Sequence, residues 1–215
     1  MVTKDEIISK VKAIMNEIGE ETNSSLLDED TIKIDQYIES CIGDALAMIV
    51  LKSKIPVNPK KGTSSPVKND DGTGYIVLPD DFLKLIAFKM EGWKRTVSEA
   101  FPLESEQAKQ QSNEYTRGGN NKPVCILSYS PEGKKTLEYY SVGTDSNHTV
   151  SVFVYEASYD PSSGINMKSS DAVFYALCYM TAGLVYSIFE NQATASEMQT
   201  ISINYLNNKN NVTIN

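Results

Sequence analysis

The feature that most restricts the fold lies late in the chain. Val173, Leu177, Met180, Leu184 and Ile188 recur at helical spacing, and Ala176, Tyr179, Gly183 and Tyr186 lie elsewhere around the same cylinder. A helix that is apolar on several sides needs cover on several sides. Ser169 or Ser170 is the expected N-cap, with Asp171 in the first turn. The pattern runs on through Met198, Ile201 and Tyr205, with a break near Asn191. This closing helix carries more apolar surface than one subunit is expected to hide. Val173, Leu177, Met180, Gly183, Leu184 and Tyr186 are therefore the expected contacts with sister copies. Gly183 allows a close backbone approach.

The N-terminal part also reads as helix. Thr3 and Glu6 fit a capping box, and Ile7, Val11, Ile14 and Ile18 follow as one stripe, with Gly19 placed to end it. Residues 20–30 read as a polar linker. A second helix is expected from Thr31 to Ser53, with Ile34, Ile38, Ile42, Ala45 and Ile49 on one face and Leu46, Val50 and Leu51 widening it. Pro56 stops it. The span 56–73 is rich in proline, glycine and serine, has no periodicity, and reads as an exposed loop. Its Lys60-Lys61-Gly62-Thr63 has the wrong order for a phosphate loop.

The middle of the chain is β-rich. Gly74 to Val77 suits a strand that Pro79 ends, with Asp80 capping a single helical turn through Phe82. Leu83, Leu85 and Ala87 alternate with Lys84, Ile86 and Phe88 in a second strand, and Glu91-Gly92 turns it towards Trp93–Val97. A polar helix is expected near 104–115. Strands follow at Val124–Tyr129, Thr136–Tyr140 and Val150–Glu156, with Pro131-Glu132-Gly133 as a turn. The fold class is α+β. A bundle of N- and C-terminal helices (1–55 and 168–207) carries a β-rich insertion (56–167), and a tail covers 208–215.

Few residues point to chemistry. The chain has one histidine, His148, and three widely spaced cysteines, Cys41, Cys125 and Cys178, which suit neither a zinc site nor a disulfide framework. Asp80-Asp81 is a carboxylate pair in a tight turn, but neighbouring side chains diverge. A metal-dependent hydrolase there is weighed against a plain cap, and the cap is favoured. No catalytic residue, cofactor or metal is expected. The net charge of −8, with only two arginines, lacks a nucleic-acid footprint. Like charge would still keep passing DNA off a wall. Tyr139, Tyr140, Phe153, Tyr155 and Tyr159 crowd the β-rich part, so a carbohydrate- or surface-binding module is the alternative reading. No apolar run is long enough to span a membrane, and the start has no signal-peptide pattern, so a protein made and kept in a cytosol is expected.

The order of these pieces resembles the head-to-tail connector proteins of tailed phages (adaptors or gatekeepers), especially the tail tubular protein A type of short-tailed phages. Two N-terminal helices come first. Then Tyr75, Leu78, Pro79, Asp81, Phe82 and Leu83 resemble the family's tyrosine, leucine-proline, aspartate-phenylalanine-leucine signature. Pro123 to Leu127, paired strands ending at Tyr155, and a long closing helix follow. The chain departs from the family after Gly133, where the usual second proline-rich strand ending is absent. The resemblance implies a structural, non-enzymatic protein of the virion neck. It implies a dodecameric homo-oligomeric ring that joins the portal protein to a tail or nozzle protein, with DNA passing through. It also implies a C-terminal segment that docks into the portal, here Leu206, Val212, Thr213 and Ile214. The β-prone 212–214 tip could add a strand to a partner's sheet edge.

Overall fold

The computed structural model describes residues 1–18, 28–140, 142, 148–167 and 171–210. Gly19, residues 20–27 of the expected 20–30 linker, Ser169, Ser170 and the tail residues Val212, Thr213 and Ile214 lie outside the described residues, and residues 28–30 of that linker are helical. The chain is α+β and divides into two compact units. Met1–Asn58 with Ser158–Asn215 forms a helical unit, and Pro59–Ala157 forms a β-rich unit. The second boundary falls about ten residues earlier than the expected 167/168. The reason is a backbone pair between Val2 and Ile165, which ties the 158–167 stretch to the N-terminus at 2.9 and 3.0 Å.

The helical unit contains α1 (Lys4–Ile18), α2 (Asp28–Lys52) and two helices near the C-terminus. The capping box at α1 forms: Glu6 N–H donates to Thr3 Oγ1 at 3.3 Å, and Thr3 N–H donates to Glu6 Oε2 at 2.8 Å. Ile7, Val11 and Ile14 are buried, as are Ile38, Ile42, Ala45, Leu46, Ile49 and Val50 on α2. Leu51 differs from expectation and is 69% exposed. Lys4–Glu39 and Lys12–Asp35, each 2.9 Å, link the rims of α1 and α2.

The closing element is two helices rather than one. In the β-rich unit a third helix intervenes in chain order, so the closing pair is α4 (Ala172–Ile188) and α5 (Gln192–Asn210). Asp171 is the N-cap of α4, accepting from Val173 N–H at 3.3 Å, where a serine was expected. The chain reverses at Phe189–Asn191. Glu190 takes φ +59°, Asn191 N–H donates to Tyr186 O at 3.0 Å, and Asn191 Oδ1 caps the next helix by accepting from Thr194 N–H. The reversal lays α5 along α4. A Cβ at Gly183 would stand 3.0 Å from Ala195 O and Gln199 Cγ, a tight fit that glycine relieves where α5 approaches. Ser202 Oγ donates across to Ala176 O at 2.7 Å, and the Tyr205 ring stacks against both Tyr175 and Tyr179 at 5.7 Å.

This arrangement corrects the expectation about sister copies. α4 bears no charged side chain and is packed by α1, α2 and α5 of its own chain. Val173, Leu177, Met180 and Gly183 are buried in a single copy, and Leu184 and Tyr186 are half-covered, with the Tyr186 hydroxyl donating to Met15 O at 3.1 Å. The four buried residues are core and cannot touch a sister subunit while the chain keeps this fold.

The β-rich unit has two sheets. One runs in the order β1 (Pro59–Lys61), β8 (Val150–Ala157), β4 (Phe82–Met90), with all neighbours antiparallel. The other runs β2 (Val67–Lys68), β3 (Gly74–Val77), β7 (Lys135–Tyr139), β6 (Cys125–Tyr129), β5 (Phe101–Pro102), and only β5 pairs parallel. β1 and β2 lie where an irregular loop was expected, because backbone pairing needs no apolar periodicity. β4 breaks strict alternation: Phe82, Leu85, Phe88 and Met90 are the buried positions, since three bulges shift its register against β8. Beyond Gly92 (φ +84°) the expected Trp93–Val97 strand shrinks to one bridge between Val97 and Phe88. α3 (Glu106–Gln111) is shorter than the expected 104–115. Ser105 caps its start, and Asn113 Oδ1 then takes Tyr115 N–H at 2.9 Å and turns the chain away.

Two substitutions test the helical hairpin. Glu190→Gly removes a left-handed glutamate and is expected to raise stability by roughly 0.5–1 kcal/mol in urea unfolding at unchanged m-value. Gly183→Leu forces α5 off α4 and is expected to lower stability by about 1–3 kcal/mol.

Candidate functional site: the Asp81 turn

The signature residues form a crossing between the two sheets. Tyr75 lies on β3, paired with Val67 and Glu138. Leu78 N–H donates to Lys135 O, and then Pro79 opens a turn closed by Phe82 N–H donating to Pro79 O at 3.0 Å. Phe82 begins β4, so the turn hands the chain from the five-stranded sheet to the three-stranded one. A single turn suffices here, and the expected helical turn capped by Asp80 is not formed. Leu78 and Phe82 are buried in the core that the two sheets share, while Leu83 stays half-covered.

Asp81 fastens this crossing. Its Oδ1 accepts from the Tyr155 hydroxyl at 2.8 Å, and its Oδ2 accepts from Lys60 Nζ at 2.6 Å. One carboxylate thus joins the turn to β8 and to β1. Partial burial by itself would raise the Asp81 carboxyl. The bonds from Lys60 and Tyr155 outweigh that and hold it below its ordinary value. Burial and the facing carboxylate push the Tyr155 hydroxyl well above its usual range. An acid pinned ionised by two donors is suited to holding three segments together and poorly suited to shuttling protons. Among the described residues, no group of three or more histidine, cysteine, aspartate or glutamate side chains is arranged to hold a metal ion.

Three of the five aromatic residues behind the carbohydrate-binding alternative lie inside. Tyr139, Phe153 and Tyr155 are buried, and Phe82, Tyr155 and Phe153 stack at 5.7 and 5.3 Å. Tyr140 is half-buried and donates to Glu138 Oε2 at 2.7 Å, and Tyr159 belongs to the helical unit. Tyr139, Phe153 and Tyr155 thus fill a core, while Tyr140 and Tyr159 stay half-covered. His148 is hydrogen-bonded through Nδ1 to the Tyr139 hydroxyl at 2.7 Å. Burial pushes that hydroxyl up to about 12. Cys41, Cys125 and Cys178 are buried thiols, the last pushed up to about 12 by burial. All three therefore resist forming the reactive thiolate. Leu206, expected to dock on a portal, is also buried, on α5. Its side chain serves the hairpin core.

Lys60 and Tyr155 are site residues that pattern reading missed as partners of the turn. Lys60 and Tyr155 lie 21 and 74 positions from Asp81. No local periodicity reports a contact over such separations. Comparison of the sequence with protein-family models and with curated proteins gives no match. Among the described residues, no helix is long and apolar enough to cross a membrane.

The sign of the Asp81 shift gives a pH prediction. Its stabilising contribution is complete above the unfolded value, 3.8, and is lost as pH falls through the lower folded value. Asp81→Asn is expected to cost about 1 kcal/mol at pH 7 and to flatten the acid limb of stability against pH. An acid limb unchanged by the substitution would contradict the clasp.

Proposed function

We infer that this chain is a structural head-to-tail connector of a tailed bacteriophage, of the short-tailed type, rather than an enzyme. The carrying observation is the order of parts. A helical unit is made from both ends of the chain, and a β-rich unit is inserted between Asn58 and Ser158. The Tyr75, Leu78, Pro79, Asp81, Phe82 and Leu83 signature sits at the turn that joins the two sheets of that insert. That is the arrangement that the resemblance implies. On this reading copies form a ring, dodecameric by analogy, in the virion neck. The ring joins portal to tail or nozzle and encloses a DNA passage. Charge is distributed in keeping with a passage. The helical unit holds fifteen acidic and eight basic residues, against thirteen and twelve in the β-rich unit.

The subunit contact must use apolar surface that one chain leaves open. In the helical unit Leu51, Ile188 and Phe189 are 69%, 48% and 49% exposed, and Tyr37 meets Phe189 edge-on at 5.3 Å. A ring closes by a heterologous contact, so these residues would face a different patch on the neighbour.

The test is assembly. Native mass measurement and electron microscopy of the purified chain, alone and with portal, are expected to find a closed ring or a ring that forms on the portal. Ile188→Ser with Phe189→Ser is expected to abolish the ring while changing the thermal midpoint by only a few degrees, as surface substitutions do. A chain that stays monomeric in both settings removes this function.

A further inference from the structure

We propose that residues 59–65 form a detachable strap over the aromatic stack of the β-rich unit, held by polar fastenings that can release without unfolding the rest. The strap lies across two sheets. β1 pairs with β8 from Pro59–Glu156 to Lys61–Val154, Gly62 N–H donates to Phe153 O at 3.0 Å, and Ser64 Oγ donates to Val77 O at 3.0 Å. Lys60 closes the arrangement on Asp81. Gly62 lies so near the Phe153 ring that a Cβ there would overlap it. The strap therefore shields the end of the Phe82–Tyr155–Phe153 stack with bare backbone.

The strap itself buries almost nothing apolar. From Asn58 to Pro66 it contains no large hydrophobic residue, and Lys60, Lys61, Thr63 and Ser65 are exposed. Clefts of about 690 and 400 Å³ border it, one beside Val150–Val154 and one beside Val77–Asp81, so it is undercut on both sides. A segment with few buried apolar contacts and solvent-reachable hydrogen bonds opens at a lower free energy than a core strand. Lifting it would uncover the β8 edge and the Phe153 face together, which makes strap 59–65 a gate over the Phe82–Tyr155–Phe153 stack.

Residue-resolved hydrogen exchange on the full chain tests this without reference to the connector reading. The Gly62 amide is expected to exchange at least about 100-fold faster than that of Leu137, on the central strand β7, and to depend little on mild urea. Asp81→Asn keeps a hydrogen-bond acceptor but loses the ion pair, and is expected to speed Gly62 about fivefold. Ile126→Val, which loosens the β6 core, is expected to speed Leu137 and leave Gly62 unchanged. The strap is overturned if Gly62 exchanges as slowly as Leu137, if Asp81→Asn leaves Gly62 unaltered, or if Ile126→Val speeds both alike.

Discussion

The structure depends on hiding α4. This helix carries no charged side chain, and ten of its residues are buried. An apolar helix in water must be covered on every side, and a single partner helix covers only one stripe. The chain answers with three partners: α1 and α2 from its beginning and α5 from its end. That requirement brings the two termini of the chain into one unit. Whatever lies between α2 and α4 must then leave the bundle and return to it, so the β-rich unit is an insertion by necessity.

The hairpin between α4 and α5 changes what the apolar surplus means. Read as one continuous helix, residues 172–205 carry more grease than a subunit can cover, and the surplus points to sister copies. Folded back at Glu190, the second half covers the first. Gly183 makes the contact close, and Ser202 and Tyr205 complete it with a buried hydrogen bond and ring stacking. The large apolar side chains that the helical unit leaves exposed include Tyr37, Leu51, Ile188 and Phe189.

In the β-rich unit the same logic works through polar atoms. Two sheets share one aromatic and aliphatic core, and a single turn passes the chain between them. The turn could drift if it were held by proline alone. Asp81 prevents this by accepting from a tyrosine on β8 and a lysine on β1. A half-buried carboxylate with two donors is worth more as a fastener than as a reagent, because its charge is stabilised where it stands. Asp81 thus has an architectural role at this turn.

Much of the local structure was legible from the chain. The capping box at Thr3 and Glu6, the stripes of α1 and α2, the Gly133 turn and the strands β6, β7 and β8 follow from periodicity, capping and turn chemistry, all of which act over a few residues. The break near Asn191 was also visible, but its consequence was not. Whether a chain continues straight or doubles back depends on which surface is available to pack against, and that is a property of the assembled unit. The same holds for the bulges that move the buried face of β4, for β1 and β2 within a polar stretch, and for the partners of Asp81. Sequence alone determined where most of the helices and the longer strands lie. Only the tertiary structure decided which apolar faces are used up within one copy, because burial is settled by contacts between residues far apart in the chain.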